Sequence, residues 1–518
     1  MDLLVDVAEP EVSARTRRSL PVRLDPVLVA VCAIAISAAG AARPSFWYDE
    51  AATVSAATRS LPELFSLLGH VDAVHSLYYL VMEVWFAVFP ATEFWSRAPS
   101  ALAVGVAAGG VVVLTRQFTG RATAVCAGMA FAILPRTTWA GMEARSYGFQ
   151  VMLSVWLTVL LVVAIRRSQP RTWLLYGGIM LFAAVLNVYL VLMVLVHAAF
   201  VLVLTRSRSN MVWWASTTFG AVLAVTPLIL LSASQIAQIN WVLPLSARTW
   251  RDVFTDQYFD DSIPFAIAAG VVIGLGLLLQ TRPSRRWDRH TRRLLVMCIV
   301  WMLVPTAVLL IVTAFGRHMY TARYLYFTTP AMAILLGVCV VTIARGPWRS
   351  AGVFVMLALA ALPNYLQVQR GPYREGMDYS QVADLIGSTA RPGDCLILDN
   401  TVRWLTLPIR ALPAARPAAY QNLVDPGRGE SGRQNGQLWD APRLIYEVQD
   451  RVKDCTVIWT VSRRDRTLPA HSVGTDGHFL RAGPALGRAP AYQVLERMGF
   501  RVVERWQFNF AQVTRSTR

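Results

Sequence analysis

Lysine is nearly absent from this chain: Lys453 is the only one in 518 residues, and arginine carries the basic charge. Charge of either sign is sparse, at 16% of residues against 55% hydrophobic, and the mean hydropathy is positive. Soluble domains carry about 25% charged residues, so this balance excludes a soluble globular protein of this length. Cysteine is scarce too, with six residues and no Cys or His spacing of the metal-binding kind. Walker loops, dinucleotide-binding glycine fingerprints and GxSxG elbows are missing in suitable contexts, which argues against an ATP-driven pump. Internal repeats, low-complexity tracts and a cleavable signal peptide are not evident. The Arg-for-Lys bias, with abundant Ala and Val, points to a GC-rich, actinobacterial type of genome and says nothing about mechanism.

What the chain has instead is a series of long apolar runs, such as Val27 to Ala42, Val151 to Ile165 and Leu294 to Thr313. Runs of this length suit the ~30 Å hydrocarbon core of a bilayer. They predict about eleven transmembrane helices, centred near Ala35, Gly105, Gly128, Thr158, Phe182, Leu195, Leu223, Val272, Leu303, Leu335 and Leu359, the fifth and sixth being crowded. The net charge of +17 raises the question of nucleic acid. The arginines, however, fall in short loops between apolar runs, where basic excess marks the cytoplasmic side. The partners read from this pattern are membrane lipids, with no nucleic acid.

Loop charge and span parity agree on an orientation. Arg15, Arg17, Arg18 and Arg23 start inside, followed on the same side by Arg116/Arg121, Arg166/Arg167/Arg171, Arg206/Arg208, the cluster Arg282 to Arg293, and Arg345/Arg349. Arg136, Arg248 and Arg251 are exceptions. Leu77 to Phe89 is apolar but only about 13 residues long, contains Glu83 and stops at Pro90, so it reads as an interfacial helix of the first outer loop. The expected organisation is a cytoplasmic segment 1–24, a transmembrane module 25–368 with its first outer loop at 43–98, and an extracytoplasmic domain 369–518. In that last part, helix-like Tyr379–Thr389, Ala441–Arg451 and Tyr492–Met498 alternate with β-type Leu396–Leu398, Thr456–Val461 and Arg501–Arg505. Such alternation predicts a small α/β domain with a mainly parallel sheet. Pro413–Trp439 reads as a long loop.

Ionisable residues near a membrane are costly and are functional candidates by default. Four groups stand out, all on the outer side. Asp49-Glu50 follows the first span and suits a general base, a metal ligand or an acidic helix start. Asp72, His75, Tyr78 and Tyr79 open the interfacial helix, where tyrosines also suit an aromatic belt. Glu143, Arg145 and Tyr147 lie between spans three and four, an ordinary loop if the two charges offset one another. Arg317 and Arg323, the latter beside Tyr324, break the charge bias on the outer side; Arg forks match phosphate oxygens, and ordinary lipid anchoring is the other reading. Cys32, Cys126, Cys298 and Cys339 lie in spans and read as packing residues.

At these residues the chain resembles the C-type membrane glycosyltransferases that use polyprenyl-phosphate sugars. It is most similar to the family-39 branch, which includes protein mannosyltransferases and aminoarabinose transferases. The matching pieces are Asp49-Glu50, Asp72 with Leu77-Tyr78-Tyr79, Phe94 to Ala101 around Arg97 and Pro99, Glu143-Ala-Arg145-Ser-Tyr147, Arg323-Tyr324-Leu325, and Asp378-Tyr379 with Arg391-Pro392-Gly393-Asp394. Their order and spacing match over roughly residues 25–400. Many relatives read His-Pro-Pro-Leu-Tyr-Tyr where this chain has Val74 to Tyr79, which displaces His75 by one position. Glu143 stands where other branches place an aspartate.

The resemblance implies a donor sugar (mannose or another hexose or pentose) on a polyprenyl phosphate, and a cell-envelope glycan, lipid or protein acceptor. Transfer would occur on the outer face of the bacterial plasma membrane and would invert the anomeric carbon. It implies Asp49 as base, with Glu50 and Glu143 shaping the site, and Arg323, Arg145 and Arg317 on the donor phosphate. Asp72 and His75 join Glu143 as a second acidic, acceptor-side group. No cofactor is certain, and a divalent cation is the open candidate. A transporter or flippase of lipid-linked saccharides is the competing reading, although transporters place ionisable groups near the midplane in repeated halves. A third reading is an inactive scaffold whose outer domain binds glycans. Cys395 and Cys455 each precede a β-type run. In neighbouring parallel strands they would approach disulfide distance, an arrangement as open as two free thiols.

Overall fold

The computed structural model describes residues 24–402, 404, 408–465 and 482–518, so Arg15, Arg17, Arg18 and Arg23 lie outside the described residues. Helices α1 (Asp25–Ala38), α2 (Tyr48–Ala57), α3 (Leu61–His70), α4 (Ser76–Phe86), α5 (Glu93–Arg116) and α6 (Arg121–Ile133) open the chain. They are followed by α7 (Pro135–Ala140), α8 (Tyr147–Arg167), α9 (Pro170–Leu186), α10 (Met193–Leu204) and α11 (Arg208–Ser234). Two short pieces, α12 (Ala247–Arg251) and α13 (Gln257–Phe259), precede α14 (Ile263–Leu278), α15 (Arg289–Ala314), α16 (Thr329–Ile343) and α17 (Pro347–Pro363).

Seven helical stretches among the described residues are long and apolar enough to cross a membrane, and four shorter apolar helices accompany them. The protein is a multi-pass membrane protein. Each of the eleven expected centres falls in one of these helices. The crowded fifth and sixth runs separate at Asn187, whose side chain accepts from the Tyr189 amide (3.1 Å) and ends α9. The apolar segment 77–89 contributes the short α4, which spans Ser76–Phe86 and lies between α3 and α5.

Small residues let the inner helices approach closely, which is how helices associate where lipid is as apolar as leucine. A Cβ at Gly337 of α16 would lie 2.5 Å from the Ala127 backbone of α6. Helices α1, α5, α6, α8 and α16 pack on one another in this way, whereas α11, α14 and α17 are mostly exposed and occupy the periphery. The three arginines that were exceptions to the charge bias are paired. Arg136 is buried against Asp256 and Asp260, Arg251 meets Asp261 at 3.0 Å, and Arg248 meets Asp252 at 4.0 Å.

After the helical module the chain forms α18 (Tyr379–Thr389), β1 (Cys395–Leu398), α19 (Ala411–Ala415), α20 (Gln449–Val452), β2 (Val457–Arg463), α21 (Pro490–Arg497), β3 (Arg501–Gln507) and β4 (Ala511–Thr517). Strand order is β1-β2-β4-β3. Of the four strands among the described residues, β1 and β2 pair in parallel, whereas β4 is antiparallel to both of its neighbours, which corrects the expected mainly parallel sheet. For β3 and β4 the reason is local, because Phe508–Phe510 is too short a link for a parallel crossover and makes them a hairpin; β4 meets β2 by pairing across the domain. Ala441–Arg451 is not one helix either. Ala441 and Arg443 bond back to residues 427–430 as an extended pair, leaving only Ile445–Glu447 and Gln449–Val452 helical. A disulfide joins Cys395 to Cys455, with Cα atoms 5.9 Å apart.

The C-terminal domain and the segment between α1 and α5 share a core. Phe46, Trp47 and Val54 pack with Tyr379, Leu396, Trp459 and Val513. Polar stitches reinforce it: the Phe46 amide donates to Ser380 Oγ (2.9 Å), and Arg416 binds Glu93 at 2.7 and 2.9 Å. Asp378, pushed up to about 6 by burial, accepts the Phe510 and Ala511 amides at the hairpin. This shared core fixes α2, and α2 carries the acidic pair.

Candidate active site

Helix α2 begins at Trp47, which has extended backbone, so Asp49 and Glu50 both occupy the first turn, where the helix dipole favours acids. Consecutive helical residues point about 100° apart, and the two carboxylates accordingly enter different surroundings. Glu50 is fully buried. Arg97 grips it with a two-point fork, Nε to Oε1 at 2.8 Å and Nη2 to Oε2 at 2.6 Å. Arg97 also donates to the carbonyls of Ala41, Pro44 and Ser45, and Glu50 accepts the Ala144 amide at 3.0 Å. Burial opposes the charge on Glu50, but the Arg97 guanidinium more than offsets it and holds the carboxyl below its usual range.

Asp49 is partly open, with 17% of its side chain exposed, and stands between two guanidinium groups. Arg323 Nη1 lies 3.3 Å from Oδ2 and Arg145 Nη2 lies 3.6 Å from Oδ1. Both separations exceed the roughly 2.7–2.9 Å of a well-formed charge-assisted bond. Arg323 is itself held between two indoles, its Cζ 5.5 Å from the Trp47 ring centroid and 4.9 Å from that of Trp241. Arg145 continues the chain outward: its Nη1 donates to Tyr79 Oη (3.0 Å), which donates to Asp72 Oδ2 (2.7 Å). Asp72 has left-handed backbone (φ 60°), and its amide is taken by Gln238, while Gln235 takes that of Ala73. The loop after α11 is thereby tied to the interfacial segment and brings Trp241, nearly half exposed, over Arg323.

Glu143 sits behind this row rather than offsetting Arg145. Its Oε2 accepts Trp139 Nε1 (3.0 Å) and lies 3.7 Å from Arg374 Nη2. Burial pushes its carboxyl up to about 7, with Arg374 working against the shift. Arg374 lies flat over Trp139 at 4.1 Å.

The remaining sequence candidates divide. Tyr147 stacks on Tyr326 (4.7 Å) and Tyr324 on Tyr189 (4.5 Å), lining the same region. Tyr78 is buried against Phe149 at 6.0 Å. His75 meets the Tyr79 ring at 5.8 Å, and burial together with Arg145 drives its imidazole well below the usual range. Arg317 is exposed and, among the described residues, makes no ion pair, so it stands apart from the other two phosphate candidates. Arg374, Trp139 and Trp241 were missed. Arg374 sits in the polar stretch after the last apolar run, where nothing local distinguishes it from other arginines.

No group of three or more His, Cys, Asp or Glu side chains comes together among the described residues. Asp49, Glu50 and Glu143 each face arginine, so their charge is already met by guanidinium and the donor set does not suit a resident cation.

No protein-family model matches the chain, and no curated protein matches it in sequence. Solved structures do match. The chain is similar to ArnT from Cupriavidus metallidurans in the apo state, at a TM-score of 0.55 and 13% identity over 94% of this chain and 97% of that one. It is similar also to ArnT from the same organism bound to undecaprenyl phosphate, at a TM-score of 0.54, 13% identity and the same coverage. Helical module and C-terminal domain together therefore adopt the fold of ArnT.

Proposed function

We propose that this protein is a membrane glycosyltransferase that takes a sugar from a polyprenyl-phosphate donor and passes it to a cell-envelope glycan, lipid or protein. The reaction takes place on the outer face of the bacterial plasma membrane, with the N-terminus inside and the outer domain outside. The observation that carries this reading is the placement of Asp49 between Arg145 and Arg323 at long, exchangeable separations, beside aromatic surfaces. An undecaprenyl-phosphate-bound structure of the same fold supports a lipid phosphate as the ligand.

Asp49 is the counter-ion of both guanidinium groups. A donor phosphate offers them better geometry, since Arg forks match phosphate oxygens. As Arg145 and Arg323 turn to the phosphate, Asp49 becomes available to an acceptor hydroxyl. The hydroxyl oxygen forms a bond to the anomeric carbon and its proton passes to Asp49. The carbon–oxygen bond to phosphate breaks, and its electron pair stays on the phosphate. The two arginines stabilise that developing charge, a stabilisation greater in the transition state than in the ground state. Attack opposite the leaving group inverts the anomeric carbon. Glu50 and Arg97 are positioning residues that hold the first turn of α2, and Tyr79 with Asp72 orients Arg145.

The test is mass analysis of lipid-linked sugars and envelope glycans in a strain lacking the gene. Accumulation of one polyprenyl-phosphate sugar, with loss of that sugar from an envelope glycan, lipid or protein, is the expected result. Unchanged pools and glycans would overturn the proposal, and accumulation of a lipid-linked oligosaccharide inside the cell would favour a flippase.

A further inference from the structure

A recess of about 440 Å³ opens where the end of α10 meets the start of α15, lined by Val203, Arg289, Arg292, Arg293 and Val296. Helix α15 has 26 residues, about 39 Å of rise, and its other end leads to Arg323 and Asp49. The recess is therefore on the opposite face of the protein from the proposed active site. Spacings of three and four place Arg289, Arg292 and Arg293 on one side of the helix, where like charges repel and the helix dipole also disfavours them. Among the described residues none of the three has a carboxylate partner, whereas Arg116 and Arg121 at the same end of the bundle are paired with Asp25. Asp288 caps the start of the helix, accepting the Thr291 amide at 2.7 Å, and forms no ion pair with the three arginines.

The recess is not purely polar. Val203 and Val296 form its apolar part, and from Val296 an exposed stripe of Ile299 and Leu303 continues along α15 toward the middle of the membrane. A charged mouth continuous with an apolar track matches an amphiphile, not a free ion. We propose that this recess seats the phosphate of an anionic phospholipid in the leaflet opposite Asp49, with an acyl chain lying along Val296, Ile299 and Leu303. The forked guanidinium donors of three arginines can share the phosphate oxygens in charge-assisted hydrogen bonds. This inference does not depend on the transferase reading.

The test uses the full chain purified in detergent, titrated with phosphatidylglycerol or phosphatidylcholine and read by native mass spectrometry. The triple variant Arg289→Gln, Arg292→Gln, Arg293→Gln alters two exposed side chains and one half-buried one, and an unchanged thermal midpoint checks its fold. Wild type should retain phosphatidylglycerol over phosphatidylcholine, and the variant should bind phosphatidylglycerol on the order of ten-fold more weakly with phosphatidylcholine unaffected. Equal retention of phosphatidylglycerol by variant and wild type would overturn the site. Displacement of phosphatidylglycerol by millimolar inorganic phosphate would show a free-anion site and overturn the lipid assignment.

Discussion

Asp49→Asn should slow transfer while tightening the binding of the lipid phosphate. The substitution keeps size and shape but removes the charge that Arg145 and Arg323 contact at 3.6 and 3.3 Å. Unit charges at those separations attract by roughly 5 kcal/mol each at an effective dielectric near 20, before desolvation is subtracted. The pairs are long, and 28% of the Arg323 side chain and 17% of the Asp49 side chain are exposed. Screening and geometry reduce the net value to about 1 kcal/mol each. The donor phosphate must displace both contacts, so losing them should improve affinity by up to about 2 kcal/mol, about thirty-fold. Loss of the base should lower kcat by about 10² to 10⁴, so kcat falls more steeply than kcat/KM. Binding is measured with undecaprenyl phosphate on the detergent-purified chain, and turnover with a panel of polyprenyl-phosphate hexoses and pentoses. Unchanged or weaker lipid binding would refute the exchange of Asp49 for phosphate, and near-wild-type turnover would remove Asp49 as the base.

The adjacent Glu50→Gln should behave differently, because breaking a buried fork leaves Arg97 with only carbonyl partners. A stability loss of about 3 kcal/mol is expected in thermal unfolding, and an unaltered midpoint would contradict the positioning role. Glu143 links stability to pH. Its folded carboxyl is near 7 and its ordinary value is 4.5, so the folded state is penalised as pH rises between those values. Glu143→Gln should therefore gain on wild type across that window, by at most about 3 kcal/mol; a pH-independent difference in unfolding midpoints would refute this. The Cys395–Cys455 bridge closes a loop of 60 residues and should contribute about 4 kcal/mol to the outer domain. Alkylation of both cysteines in denatured, unreduced protein would rule it out. For orientation, a reporter active only outside the cytoplasm should be active after Asp260 or Arg518 and silent after Arg286, and activity at Arg286 would invert the topology.

Much of the architecture was legible because bilayer physics acts on local sequence. A run of some twenty apolar residues must satisfy its backbone internally, which leaves a helix as its only form. The helix centres, the short α4 and the break into a polar outer domain follow from that constraint. The acidic position after the first span and the arginine before the tenth are similarly local signals. Tertiary structure decided what those signals mean. Asp49 and Glu50 are neighbours in sequence and alike in chemistry, yet one is loosely held at the site and the other is sealed against Arg97, because Arg97 reaches α2 from a separate helix. Glu143 turns to Arg374 and not to Arg145, because the chain after the last span folds back over Trp139. Arg323 and Arg317 are six residues apart in one loop, and only packing against Trp47 and Trp241 distinguishes them. The sheet likewise depended on β4, whose place between β2 and β3 comes from strand pairing across the domain. Periodicity and composition specify which segments leave water, but pairing between segments distant in sequence determines which charge faces which.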